Sequence, residues 1–136
     1  MGNSKFLMAI VIGIVITSTA SAQIKVGDKK NGGIVYWIDS TGKHGLIADV
    51  KDLGKFNWRN AIVACKKRGV GWHLPTKDEL NKLDENKDKI GGLASDAYWS
   101  SSDDGNDSAW LEDFSNGIQL NDDENGANYV RAVRAF

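Results

Sequence analysis

The stretch GWHLPTKDEL, residues 71–80, contains the only proline of the chain and restricts its fold more than any other ten residues. Pro75 disfavours a helical conformation at Leu74 and pushes it to extended geometry. Thr76 follows at once as a helix N-cap, and Glu79 completes a capping box three residues later. Trp72 and Leu74 flank His73, and alternate side chains of an extended segment share a face, so both apolar groups point inward together. Trp72, Leu74, Pro75, Thr76 and Glu79 thus predict a structural anchor: a buried extended segment joined directly to a helix start. Leu80 and Leu83 supply the inner face of that helix, and Gly91-Gly92 lies past its end.

A second helix precedes the anchor, over Asn57 to Arg68. Asn57 can cap it, and Trp58, Ala61, Ile62 and Cys65 recur at i, i+3, i+4 and i+7. Lys66, Lys67 and Arg68 fill its last turn, where cations suit the negative end of the helix dipole. Strands are expected on both sides of this helical pair. GIVYWID (33–39) and GLIADV (45–50) are rich in β-branched and aromatic residues, with a glycine-containing hairpin loop between them. YWSSS (98–102), SAWLEDF (108–114), GIQLN (117–121) and NYVRAVRAF (128–136) read as four more, with DDGND (103–107) and DDENGA (122–127) as polar loops. Two strands, two helices and four strands predict one α+β domain over residues 23–136 with segregated elements.

The first 22 residues are set apart from that domain. Lys5 gives a basic n-region, Phe6 to Ile16 is apolar, and Ala20-Ser21-Ala22 is an A-x-A-like cleavage site, so residues 1–22 read as a signal peptide. The apolar run is short for a bilayer span. The expected product is exported (periplasmic, cell-surface or secreted) and not inserted in the membrane after cleavage. Without Lys5, 16 basic side chains face 18 acidic ones, a balance that gives no electrostatic footprint for nucleic acid. A single cysteine, Cys65, excludes an intramolecular disulfide. Packing alone must then hold the domain, with five tryptophans as its main apolar resource.

The pieces GGIVYWID, HGLIA, NWRNAIVAC, GWHLPTKDEL, YWSS, AWLEDFSNG and VRAVRAF occur in that order. Together they resemble the Lcl C-terminal domain family over residues 32–136. The resemblance implies a C-type-lectin-like fold, with two helices packed on a twisted, mainly antiparallel sheet and chain termini close together. It also implies an exported bacterial binding module; the family's namesake resembles an adhesin for sulfated polysaccharides. One position departs from the pattern: the family usually has arginine where this chain has His73, and histidine cannot reproduce the guanidinium's fork of donors.

Catalytic signals are thin. His44 and His73 sit in no metalloprotease or zinc pattern, and Ser100 to Ser102 lack a nucleophile-elbow context. The formylglycine-generating enzymes share the implied fold but depend on cysteines, a role that Cys65 on a helix face does not fit. No catalytic residue is assigned. Asp103, Asp104, Asp107, Asp122, Asp123 and Glu124 cluster in the two polar loops, and hard oxygen ligands at that density suit calcium, the one cofactor left open. For binding, Asp104, Asn106, Asp107, Asn116, Gln119 and Asn121 are expected to converge on one polar face. Trp110 and Phe114 are expected inward, with Leu111 and Asp113 outward. The expected partner is a glycan or surface polysaccharide, with an extracellular or cell-surface protein as the alternative.

Overall fold

The computed structural model describes residue 2, residues 8–18 and residues 22–136. Lys5, Phe6, Ala20 and Ser21 of the expected signal peptide lie outside the described residues. Residues 8–18 carry no helix or strand, and the apolar side chains from Met8 to Ile16 are exposed. Among the described residues, no helix is long and apolar enough to cross a membrane.

The chain first lays down β1 (Lys29–Lys30), β2 (Gly33–Ile38), β3 (Gly45–Asp49) and β4 (Gly54–Phe56). The helices α1 (Trp58–Lys67), α2 (Lys77–Glu85) and the short α3 (Lys87–Ile90) follow. Then come β5 (Ala97–Gly105), β6 (Ser108–Asp113), β7 (Ile118–Asp123), β8 (Asn128–Val130) and β9 (Val133–Ala135). The architecture is α+β, two main helices with mainly antiparallel sheets, as expected. The strands form two sheets: β1-β2-β3-β9, and β4-β8-β5-β6-β7 in which only β5 and β8 run parallel. Lys30 Nζ lies 5.1 Å from the centroid of the Phe136 ring, so the two ends of the domain meet.

Both helix starts follow their local chemistry. The Asn57 side chain accepts from the Asn60 N–H, and at α2 both halves of the Thr76–Glu79 capping box are made. Trp72, Leu74 and Pro75 are buried, and the His73 backbone exchanges two hydrogen bonds with Val133, which fastens the anchor to β9. One apolar cluster joins α1 (Trp58, Ala61, Cys65) to Trp72, Leu74, Trp99, Leu111 and Val130. A second, beneath α2, joins Leu80 and Leu83 to Tyr36, Tyr98, Phe114 and Val133. Each buried tryptophan removes about 150–250 Å² from water, an upper bound of about 4–6 kcal/mol. The Trp58 and Trp99 indole N–H groups donate to the Ser100 and Phe56 carbonyls, both at 2.8 Å, so neither is left unsatisfied.

Two expectations change. Residues 128–136 are not one strand: β8 belongs to the five-stranded sheet and β9 to the four-stranded one. The chain crosses between them at Arg131 and Ala132, whose side chains are buried at the seam. Nor are the acidic stretches wholly loop. β5 runs to Gly105 and β7 to Asp123, which leaves Asn106 and Asp107 as a two-residue turn. Both turn residues have positive φ, 51° and 59°, as a tight hairpin of this length requires.

Candidate functional site

Strand β7 is one edge of the five-stranded sheet and pairs with β6 in unbroken register, Trp110 opposite Asn121 and Glu112 opposite Gln119. Around the half-buried Trp110 the structure gathers several polar groups. Lys77, the first residue of α2, holds its ammonium 3.5 Å from the centre of the indole ring. Its backbone N–H donates to Ser102 Oγ at 3.0 Å, and its carbonyl accepts from Gln119 Nε2 at 2.9 Å. Asn121 Nδ2 donates to Asp104 Oδ2. The turn residues Asn106 and Asp107 are exposed at the end of the same hairpin. The patch thus offers a carboxylate, carboxamides and an ammonium beside an aromatic ring.

The expected polar face is only partly assembled. Asp104, Asn106, Asp107 and Asn121 share one end of the hairpins. Gln119 serves as a tether to the start of α2. Asn116 lies at the other end of β6, about 20 Å away for six extended residues, where its side chain caps the turn by accepting from the Ile118 N–H at 3.0 Å. It therefore does not converge with the others. Strand orientation also differs from expectation. Leu111 is buried among the α1-side core with Ala109, while Trp110 faces Lys77. The period-two pattern was right, but both alternating sets contain apolar groups, so it does not say which faces α1. The role of Lys77 was missed because nothing local to α2 reveals the tryptophan beneath it.

The acidic residues considered for calcium do not form a ligand set. Among the described residues no three or more His, Cys, Asp or Glu side chains are grouped as a metal site. Five of the six carboxylates have a local task. Asp103 accepts from the Gly105 N–H, Asp122 from the Asp123 N–H and Asn128, and Asp123 from the Asn125 N–H. Glu124 faces Arg59 at 3.5 Å, and Asp104 holds Asn121. Asp107 uses its backbone carbonyl to accept from the Glu124 N–H at 2.8 Å. The two acidic stretches do meet, but through backbone and turn bonds.

The His73 ring is held on both sides. Its Nε2 lies 3.0 Å and 3.1 Å from the two Glu79 carboxylate oxygens, and Nδ1 lies 3.1 Å from the Gly71 carbonyl. The Glu79 bond raises the His73 pKa against the opposing effect of burial. Burial pushes Glu79 the other way, yet the bonds from His73 and Thr76 leave its pKa lowered. Arg131 is fully committed inside the protein. Nε meets Asp52 Oδ1 at 2.7 Å, and its terminal nitrogens donate to the carbonyls of Asp49 and Gly92. Burial drives the Cys65 thiol up to about 12, so it stays a neutral apolar group. Ser100 is buried; its hydroxyl donates to the Trp110 carbonyl and accepts from the Ser102 N–H.

Residues 24–134 match the Lcl C-terminal domain family. Among solved structures the chain is similar to botrocetin, at 14% identity and a TM-score of 0.49, covering 80% of this chain and 98% of that one. It is similar also to a chain in the complex of a mutant von Willebrand factor A1 domain with botrocetin, at 12% identity and a TM-score of 0.49, covering 79% of this chain and 98% of that one. No curated protein matches the sequence.

Proposed function

This chain belongs to the Lcl C-terminal domain family, and on that premise we propose that it is an exported, non-catalytic binding module that recognises a glycan at the patch around Trp110. The observation that carries this reading is the meeting of the Lys77 ammonium, the Asp104 carboxylate and the Asn121 carboxamide beside one half-buried indole. Sugar hydroxyls both donate and accept, so they suit a fan of mixed acceptors and donors at the rim of an aromatic ring. Because Lys77 already covers a face of the indole, the ligand reads the polar rim. The patch pairs a cation with an anion, which favours a neutral sugar over a sulfated one. Lys66 and Lys67 offer an alternative exposed basic pair, but Arg68 beside them is tied to Asp49 at 2.9 Å and to the Gly32 carbonyl. Binding at a single patch of this size is weak, and surface adhesion follows from several copies. Export rests on Lys5, the apolar run and Ala20-Ser21-Ala22, with Gln23 as the first mature residue.

Capture on a glycan array tests the reading. Asp104→Ala and Asn121→Ala should each lower capture of a neutral glycan while leaving the melting temperature within about 2 °C, as for surface changes of small energetic effect. Added salt should change the capture little. A protein-binding scaffold is the second reading, favoured by Ile118 and Leu120, 51% and 49% exposed on the edge strand β7. Loss of capture on Leu120→Asp, with Asp104→Ala and Asn121→Ala both silent, would replace the glycan reading with that one.

A further inference from the structure

Helix α2 is fastened to the domain at both ends by groups that titrate. At its first turn stands the His73–Glu79 pair. Both His73 ring nitrogens face acceptors, Nε2 the Glu79 carboxylate and Nδ1 the Gly71 carbonyl. A neutral imidazole carries one N–H and can satisfy only one of them, whereas the doubly protonated ring satisfies both. Arg134 flanks Gly71, and the buried Tyr36 hydroxyl feels the charge of Glu79. The His73 backbone is pinned to Val133, so the ring cannot simply swing away with its chain.

Against the last turn of α2 stands Glu112 of β6. It is 0% exposed, and neither carboxyl oxygen has a hydrogen-bond partner among the described residues. The donors beside it make their hydrogen bonds to other groups. Lys87 of α3 donates to Asp84 Oδ1 at 3.0 Å and to the Phe114 carbonyl at 2.6 Å. Tyr98, opposite on β5, donates to Asp52, and Gln119, opposite on β7, donates to the Lys77 carbonyl. From α2 itself, Asp84 and Glu85 face Glu112 with like charge, and Lys87 opposes them. Among the described residues no donor reaches either oxygen, and burial with two like charges outweighs Lys87, so the neutral acid is the form the site accommodates.

We propose that α2 is an acid-tightened element, gripped through His73–Glu79 at one end and Glu112 at the other, and held more firmly in mild acid than at neutral or alkaline pH. The two contacts act with the same sign. Burial, then Asp84 and Glu85, push the Glu112 pKa from 4.5 to about 7. The folded protein therefore keeps a proton that the opened one releases, and the grip weakens from about pH 4.5 up to about 7, then levels. The raised His73 pKa contributes stability that is complete below its ordinary value of 6.5 and is lost as pH climbs through its folded value. The lowered Glu79 pKa sets the acid limit, since its share is lost as pH falls below 4.5 through its folded value. An arginine at position 73 would hold Glu79 without titrating. Histidine there turns the same contact into one that responds to protons.

Lys77 rides on α2, so glycan capture should also strengthen in mild acid; that corollary rests on the proposed binding patch. The test of the device itself needs no ligand, and its failure is separate from failure of that patch. Amide hydrogen exchange of α2, corrected for base catalysis and compared with α1, should report an opening equilibrium that grows between pH 5 and 8. Each titrating group contributes up to about tenfold per pH unit across its own window. Glu112→Gln should remove the rise below pH 7, His73→Arg the rise above 6.5, and the double variant should be flat. Should Glu112→Gln fail to fold, the side-chain carboxyl carbon of Glu112 in the unaltered protein can be titrated by NMR, with a midpoint near 7 expected. A Glu112 midpoint near 4.5, or α2 opening that is independent of pH in the unaltered protein, would overturn the proposal.

Discussion

Arg131 shows what a single residue must do when its charge is enclosed. The side chain is 1% exposed, and its guanidinium meets the Asp52 carboxylate and two backbone carbonyls. Arg131→Ala should destabilise the protein by about 3–5 kcal/mol, because it strands a partner charge and two acceptors. Chemical denaturation measures this; a loss below about 1 kcal/mol would show that water replaces the guanidinium freely. Trp72 tests the anchor in the same way. It is buried between the Arg68 guanidinium, 4.6 Å from its ring, and the shared core. Trp72→Ala should cost about 3–5 kcal/mol through the cavity it leaves. Unchanged stability with lost ligand capture would make the ring a binding platform instead.

At the scale of elements, α2 is set by the box at its first turn and by Leu80 and Leu83 on its inner face. Thr76→Ala should lower stability by about 0.5–2 kcal/mol, read as a shift of the denaturation midpoint with an unchanged slope. A changed slope would mean that the cap governs more than the helix end. Helix starts were readable from the chain because Asn57 and Thr76 act within three residues of themselves. Strand ends were less so. Asp103 and Asp104 read as loop by composition, yet the hairpin continues to Gly105 because β6 pairs with it. The short strands β1 and β4, of two and three residues, were missed because their only support is a partner strand. The break between β8 and β9 was invisible for a related reason. VRAVR alternates like a strand, and only the buried seam at Arg131 makes it change sheets.

For the whole molecule, the α+β class and the two-helix core follow from the order of the elements, whereas the site depends on which strands become neighbours. Asp104 and Asn121 lie seventeen residues apart and meet because β5, β6 and β7 lie side by side, so the two side chains reach each other across β6. Lys77 reaches Trp110 because the anchor aims α2 across the same sheet. The fully buried Glu112 lies in a strand whose other polar residues face water, so nothing in SAWLED singles it out. The same topology scatters the acidic side chains among turns, and millimolar calcium should leave the melting temperature unchanged. A rise that is lost in Asp122→Ala would restore a calcium site. The place where a ligand sits tests the proposed patch around Trp110 most directly. Backbone amide shifts should be recorded on the labelled protein as a glycan selected from the array is added. The shifts should concentrate at Lys77, Asp104, Trp110 and Asn121. Shifts centred instead on Lys29, Lys30 and Val50, or on α1 around Asn60 and Lys67, would contradict it.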